Sequence, residues 1–166
     1  SFVVMLFASV QASALVRIDI TEGNADPLPI ALVNFSSETS KGIKVGRMLR
    51  DVIESNIQGS GLFKSLPQDA YLQSEESLKL NGPQFDQWRP VKTEALLTGT
   101  VSVQGEGANA KIVVEYRLFD VYSEKQMIGR RYTANIRFWR HVAHRISDDI
   151  YTTTTGEKPY FTSRIV

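Results

Sequence analysis

The sequence contains no cysteine, which removes disulfide cross-links, thiolate nucleophiles and cysteine-based zinc sites. That absence is compatible with either an oxidising or a reducing compartment. An excess of charge is also missing: 19 Lys and Arg stand against 18 Asp and Glu, a formal net charge of +1. Bulk attraction to nucleic acid or anionic lipid is therefore not built into the whole chain, and any basic site must be local. No apolar run approaches the roughly 20 residues that cross a bilayer, and no internal repeat is visible. What remains is 166 residues, 42% hydrophobic and 22% charged, enough for one ordinary globular domain with a real core.

The first residues bear on compartment. Phe2 to Val10 form a short apolar run, and Ala12-Ser13-Ala14 has the small-x-small pattern that signal peptidase accepts. Residues 1–14 are read as the remnant of a signal peptide cleaved after Ala14, which predicts export of a soluble product. Leu15, Val16, Arg17, Ile18, Asp19, Ile20, Thr21, Glu22 and Gly23 follow. Val16, Ile18 and Ile20 alternate with Arg17, Asp19 and Thr21, the period-2 pattern of a half-buried strand. Gly23-Asn24-Ala25-Asp26-Pro27 then breaks regular structure, so residues 15–28 read as a strand on a movable hinge.

From residue 29 to 157 the pattern is α/β. Ile30 to Phe35 is nearly continuous in apolar residues, as in a central strand buried on both faces. Ile43, Val45, Met48, Leu49, Val52, Ile53 and Ile57 recur at helical spacing, with Arg47, Arg50, Asp51 and Glu54 assigned to the other side. Gly59 and Gly61 end this helix. Leu62 to Leu66 reads as a short strand, the polar stretch through Asn81 has no assignment, and Phe85 and Trp88 suit a short helix stopping before Pro90. Ala95–Val103, Ile112–Val121 and Met127–Ala134 predict two consecutive hairpins, with Gly105 and Gly107 in the first turn. Trp139, Val142, Ala143, Ile146 and Ile150 line a second long helix that fades into Thr152–Thr155 and stops at Gly156. Tyr160 to Val166 looks like another strand. The expected fold is a mixed β-sheet with helices mainly on one face.

No catalytic constellation emerges, and no cofactor or metal is expected. His141 and His144 are neighbours on a helix surface, but no H-E-x-x-H pattern completes a metal site. Asp148 and Asp149 point about 100° apart on a helix and cannot face each other as an acid/base pair, so they read as surface charges. The polar run Ser36 to Gly42 lacks the glycines of a phosphate loop and suits helix capping. Arg130, Arg131, Arg137, Arg140 and Arg145 occur without an intervening acid, interleaved with Tyr132, Phe138 and Trp139. A solvated or domain-contact face is one reading of that cluster, and a nucleic-acid-binding domain using the arginine-rich last helix is the alternative.

Several segments together resemble the TolB N-terminal-domain family. They are Leu15 to Gly23 followed by Pro29 to Phe35, Leu96-Leu97-Thr98-Gly99-Thr100-Val101 with Trp88 upstream, Val114 to Val121, Phe138 to Tyr151, and Thr155-Gly156 with Phe161 to Ile165. Leu15 stands where the family often begins with an acidic residue. The resemblance implies a periplasmic, non-enzymatic module of the Tol-Pal cell-envelope system, supporting envelope integrity, cell division and protein import. It implies that Leu15 to Gly23 bind the C-terminal domain of TolA. It also implies that 158–166 begin a β-propeller; Pal, which docks mainly on the propeller, is not expected as an autonomous partner of this stretch. A periplasmic module would meet no nucleic acid.

Overall fold

The computed structural model describes residues 26–164. The signal-peptide remnant and the strand expected at Leu15 to Gly23 lie outside the described residues. The first element, β1 (Leu28–Leu32), starts inside the stretch assigned to the hinge, and Ile30, Ala31 and Leu32 are fully buried, as a strand covered on both faces requires. The chain continues through Phe35 to Ser36, which bridges Thr100.

Helix α1 (Ser40–Gly59) begins where Thr39 Oγ1 accepts a hydrogen bond from the Gly42 N–H at 3.1 Å, the capping role expected of the polar run. It buries Val45, Leu49, Ile53 and Ile57 in one stripe. Gly46 lets α1 come close: a Cβ there would stand 2.5 Å from the Phe35 carbonyl oxygen. Arg50 departs from expectation. It is 7% exposed, its Nε donates to the Leu32 carbonyl at 2.9 Å, and its Nη1 reaches Glu54 at 2.9 Å. A long stem can lie along the core while the guanidinium shares the Leu32 carbonyl at the end of β1 with the Tyr71 hydroxyl, which helical periodicity alone does not register.

Strand β2 (Phe63–Ser65) pairs parallel with β1. The unassigned polar segment contains α2 (Glu75–Asn81), capped by Ser74, followed by α3 (Phe85–Trp88). Gln73 organises it. Its Oε1 accepts from Trp88 Nε1 and from the Gln84 N–H, both at 2.9 Å, while its Nε2 donates to the Gly82 carbonyl at 2.9 Å and to Ser77 Oγ at 3.2 Å.

β3 (Ala95–Gln104), β4 (Lys111–Asp120) and β5 (Lys125–Asn135) form the antiparallel meander, with Gly105 and Gly107 at positive φ in the first turn. β3 also pairs parallel with β1, so the mixed five-stranded sheet has the order β2-β1-β3-β4-β5. Gly99 is required where Phe35 crosses β3, since a Cβ would stand 2.8 Å from both its ring and the Glu115 carbonyl oxygen.

Helix α4 (Trp139–Thr155) lies with α1 on one face over the main core, while α2 and α3 cover part of the other face around Trp88, Leu96 and Val121. The threonine run does not fray α4. Thr154 and Thr155 hydroxyls donate to the carbonyls of Ile150 and Tyr151, each at 2.7 Å, and Gly156 caps the helix at φ +73°. The strand suggested for Tyr160–Val166 does not form in its described part. Thr162–Arg164 is a 3-10 turn, and Phe161 packs edge-on to Tyr151.

Candidate partner-binding site

The nine residues expected to contact a partner, Leu15 to Gly23, lie outside the described residues, so the site is described from the side of the domain to which they connect. Asp26 and Pro27 lead into β1, where the Leu28 N–H donates to the Leu62 carbonyl at 2.8 Å. Around this point Pro27, Leu28, Leu62, Phe63, Tyr122 and Thr155 help to line an open cavity of about 460 Å³, with Lys92 and Glu94 at its polar side. Lys92 holds φ +58°, a left-handed conformation unusual for lysine, in the turn that feeds β3.

The residues singled out on α4 have definite places. Asp148 and Asp149 are not free surface charges. Asp149 Oδ2 accepts from the hydroxyls of Tyr116 at 2.6 Å and Tyr132 at 2.5 Å, and its Oδ1 lies 3.2 Å from Arg130 Nη1. Asp148, 5% exposed, accepts from the Phe161 N–H at 2.7 Å and from the Thr162 N–H and hydroxyl at 3.2 and 2.7 Å. The 100° between neighbours separates their tasks: one carboxylate faces the sheet, the other holds the chain that follows the helix. Strand parity offered a signal for the first. Tyr116 shares the inward face of β4 with Ile112, Val114 and Leu118, and a buried phenol needs a partner.

Burial, and then the Asp149 carboxylate, hold the Tyr116 and Tyr132 phenols above the ordinary tyrosine range. The unfolded chain loses these protons near pH 10, whereas the native state keeps them. Above about pH 10 the native state therefore binds more protons and stability falls as pH rises. Urea unfolding midpoints measured from pH 9 to 11.5 should decline, and Tyr116→Phe should make the decline shallower.

His141 and His144 do not act together. Asn56 Nδ2 on α1 lies 2.8 Å from His144 Nδ1 and 3.0 Å from Ser147 Oγ, donating to both, which needs the neutral imidazole. Burial, with help from Arg140 and His141, lowers the His144 pKa. The unfolded histidine takes up its proton first on acidification, so this contact contributes fully above pH 6.5 and is lost as pH falls through the lowered native value. Replacing His144 by Gln should flatten the fall in unfolding midpoint between pH 7 and pH 5. Among the described residues no three His, Asp or Glu side chains converge as metal ligands.

The arginine cluster divides in two. Arg130 pairs with Asp149 and Arg131 with Glu115. Arg137 lies over the Phe138 ring, Arg140 over Trp139 and Arg145 over Tyr132, with 4.8 to 5.5 Å from guanidinium carbon to ring centroid. No helix among the described residues is long and apolar enough to cross a membrane.

Comparison with known proteins gives this arrangement a family. Residues 16–127 match the family model of the TolB amino-terminal domain. The Tol-Pal system protein TolB of Paramagnetospirillum magneticum is 38% identical over 166 residues, covering 99% of this chain and 36% of that protein. The Tol-Pal system protein TolB of Pelagibacter ubique is 38% identical over 174 residues, covering 99% of this chain and 38% of that protein. The chain thus spans little more than a third of these relatives' length. In structure it resembles crystalline TolB from Acinetobacter baumannii with a TM-score of 0.66 at 22% identity, over 83% of this chain and 31% of that one. The glycine strand around Gly99, the buried Trp88 and the closing helix α4 are the folded forms of the motifs that carried the resemblance, and the chain belongs to the TolB amino-terminal domain family.

Proposed function

We propose that this chain is the N-terminal part of a periplasmic interaction protein of the Tol-Pal system, which binds the C-terminal domain of TolA through Leu15 to Gly23 and performs no catalysis. The observation that carries this reading is the span of the family match, residues 16–127, which begins at Val16 and so takes in nearly all of the alternating segment together with β1 to β4 of the folded domain. Val16, Ile18 and Ile20 supply apolar contact, the backbone of the same segment supplies strand pairing with the edge of another sheet, and Arg17 and Asp19 adjust orientation. The polar, turn-forming residues 23–27 allow the segment to extend from β1. Residues 1–14 direct export, with cleavage after Ala14. In this reading the module contributes to envelope integrity, cell division and protein import by holding TolA, and docking of Pal requires sequence beyond this stretch.

An NMR titration of the isotope-labelled chain with the C-terminal domain of TolA tests the reading, alongside a chain lacking Leu15 to Gly23. Shifts and broadening confined to 15–23 and their surroundings, absent from the shortened chain, are the expected result. Equal binding by both chains would move the site elsewhere, and binding by neither would end the proposal.

A further inference from the structure

The TolA-binding reading makes no use of a concentration of unpaired positive charge around the start of α4. Arg137, Arg140 and Arg145 have no carboxylate partner among the described residues, and positions 125–147 contain no acid at all. They gather at the 3-10 turn Ile136–Phe138, on the first two turns of α4 and beside β5, the exposed edge of the sheet. Each guanidinium rests on an aromatic face. A guanidinium stacked on a ring can still offer its N–H edge to a phosphate or carboxylate.

Two features of this turn run against ordinary folding rules. The first turn of α4 has no acidic residue and no side-chain cap, and it carries Arg140 at the end where the helix dipole favours negative charge. Phe138, at the same point, is 52% exposed between Arg137 and the Trp139–Arg140 pair. Cations crowded at a positive helix end, around an apolar ring left in water, are a local conflict that an external anionic surface resolves.

We propose that Arg137, Phe138, Arg140 and Arg145 form a peripheral docking face for anionic phospholipid headgroups, with the guanidiniums on phosphates and the Phe138 ring at the boundary of the acyl region. The exposed phenyl selects a lipid surface over an acidic peptide, because carboxylates would satisfy the arginines and leave the ring in water. Single-stranded nucleic acid stacks its bases on open ring faces, and each ring here already carries a guanidinium on one face. The face is made by residues of α4 and the 3-10 turn before it, none of them in the Leu15 to Gly23 segment, so the two contacts can be tested independently.

The test is co-sedimentation of the full chain with vesicles of phosphatidylcholine alone and of phosphatidylcholine with 30% phosphatidylglycerol. The ratio of the two partition coefficients cancels any contribution common to both vesicle types and so reads the arginine face. That ratio should fall about fivefold for each arginine removed, hence by roughly 25-fold in the double variant Arg137→Gln/Arg140→Gln. It should be unchanged when Leu15 to Gly23 are deleted. Phe138→Ala should weaken partition into phosphatidylglycerol vesicles while leaving the unfolding midpoint in place. If the double variant does not fold, the salt dependence of the native chain serves: partition should fall steeply between 50 and 500 mM NaCl. Equal partition into both vesicle types, or tighter binding to oligoglutamate or to a single-stranded oligonucleotide than to phosphatidylglycerol vesicles, overturns the proposal.

Discussion

Replacing Trp88 by Ala should cost about 4 kcal/mol of folding stability or more, within the range for deleting a buried aromatic side chain. Trp88 is fully buried and is the central side chain of the smaller core, where Ala31, Val33, Leu96 and Val121 project from the sheet toward α2 and α3. Its ring meets Tyr71 edge-on at 5.0 Å, and its N–H ends on Gln73. The layer above it consists of a seven-residue helix and a four-residue helix, held largely by Gln73. Little remains to collapse into the cavity, so the cavity cost should be close to maximal. A domain of this size has about 5–15 kcal/mol in total, so the variant would sit near the edge of folding. Urea unfolding followed by circular dichroism measures the loss. Trp88→Phe keeps most of the volume, loses only the bond to Gln73, and should cost about half as much.

The second large effect is expected at Asp149, where Ala should remove about 3 kcal/mol. The carboxylate is the common acceptor for a phenol on β4, a phenol on β5 and the Arg130 guanidinium, and so ties α4 to the last two strands of the sheet. With Ala, the Tyr116 hydroxyl is left buried without an acceptor, beside a Tyr132 ring stacked 6.3 Å away. Asn keeps one acceptor oxygen but turns an amide N–H₂ toward donors, and should recover roughly half of the loss. A double-mutant cycle of Asp149→Ala with Tyr132→Phe should return a coupling of about 1 kcal/mol or more, because each single change removes the same bond. Additive effects would mean that the carboxylate and the phenol contribute separately.

The readability of these features from sequence followed their range. The continuous apolar strand after Pro29, the β-rich runs of the meander, and the long helices with a buried stripe at i, i+3 and i+4 were legible because each pattern lies within one element. Gly99 could be noted but not explained, since the Phe35 ring that excludes a Cβ comes from 64 residues earlier in the chain. The polar segment 67–81 was illegible because its order depends on a buried glutamine bonding to backbone and to Trp88, with no periodicity to expose it. Arg50, Asp148 and Asp149 were misplaced for a common reason: charge suggests solvent, and only the fold shows a carbonyl, two phenols and a turn waiting for them. The arginine run was visible, but its division into paired and ring-stacked members required the register of β5 against β4 and the position of α4.

The central claim is that the alternating segment is the TolA-binding element and that the folded domain carries it. The most direct measurement is the affinity of the Ile18→Asp chain for the C-terminal domain of TolA by isothermal titration calorimetry, with the unfolding midpoint recorded in parallel. Ile18 lies in the middle of the apolar row in sequence, and exchanging an isoleucine that the partner is proposed to cover for a carboxylate should weaken binding ~10-fold or more. The account predicts that loss with an unchanged midpoint. Unchanged affinity, or a loss that merely follows a fall in the midpoint, would contradict it.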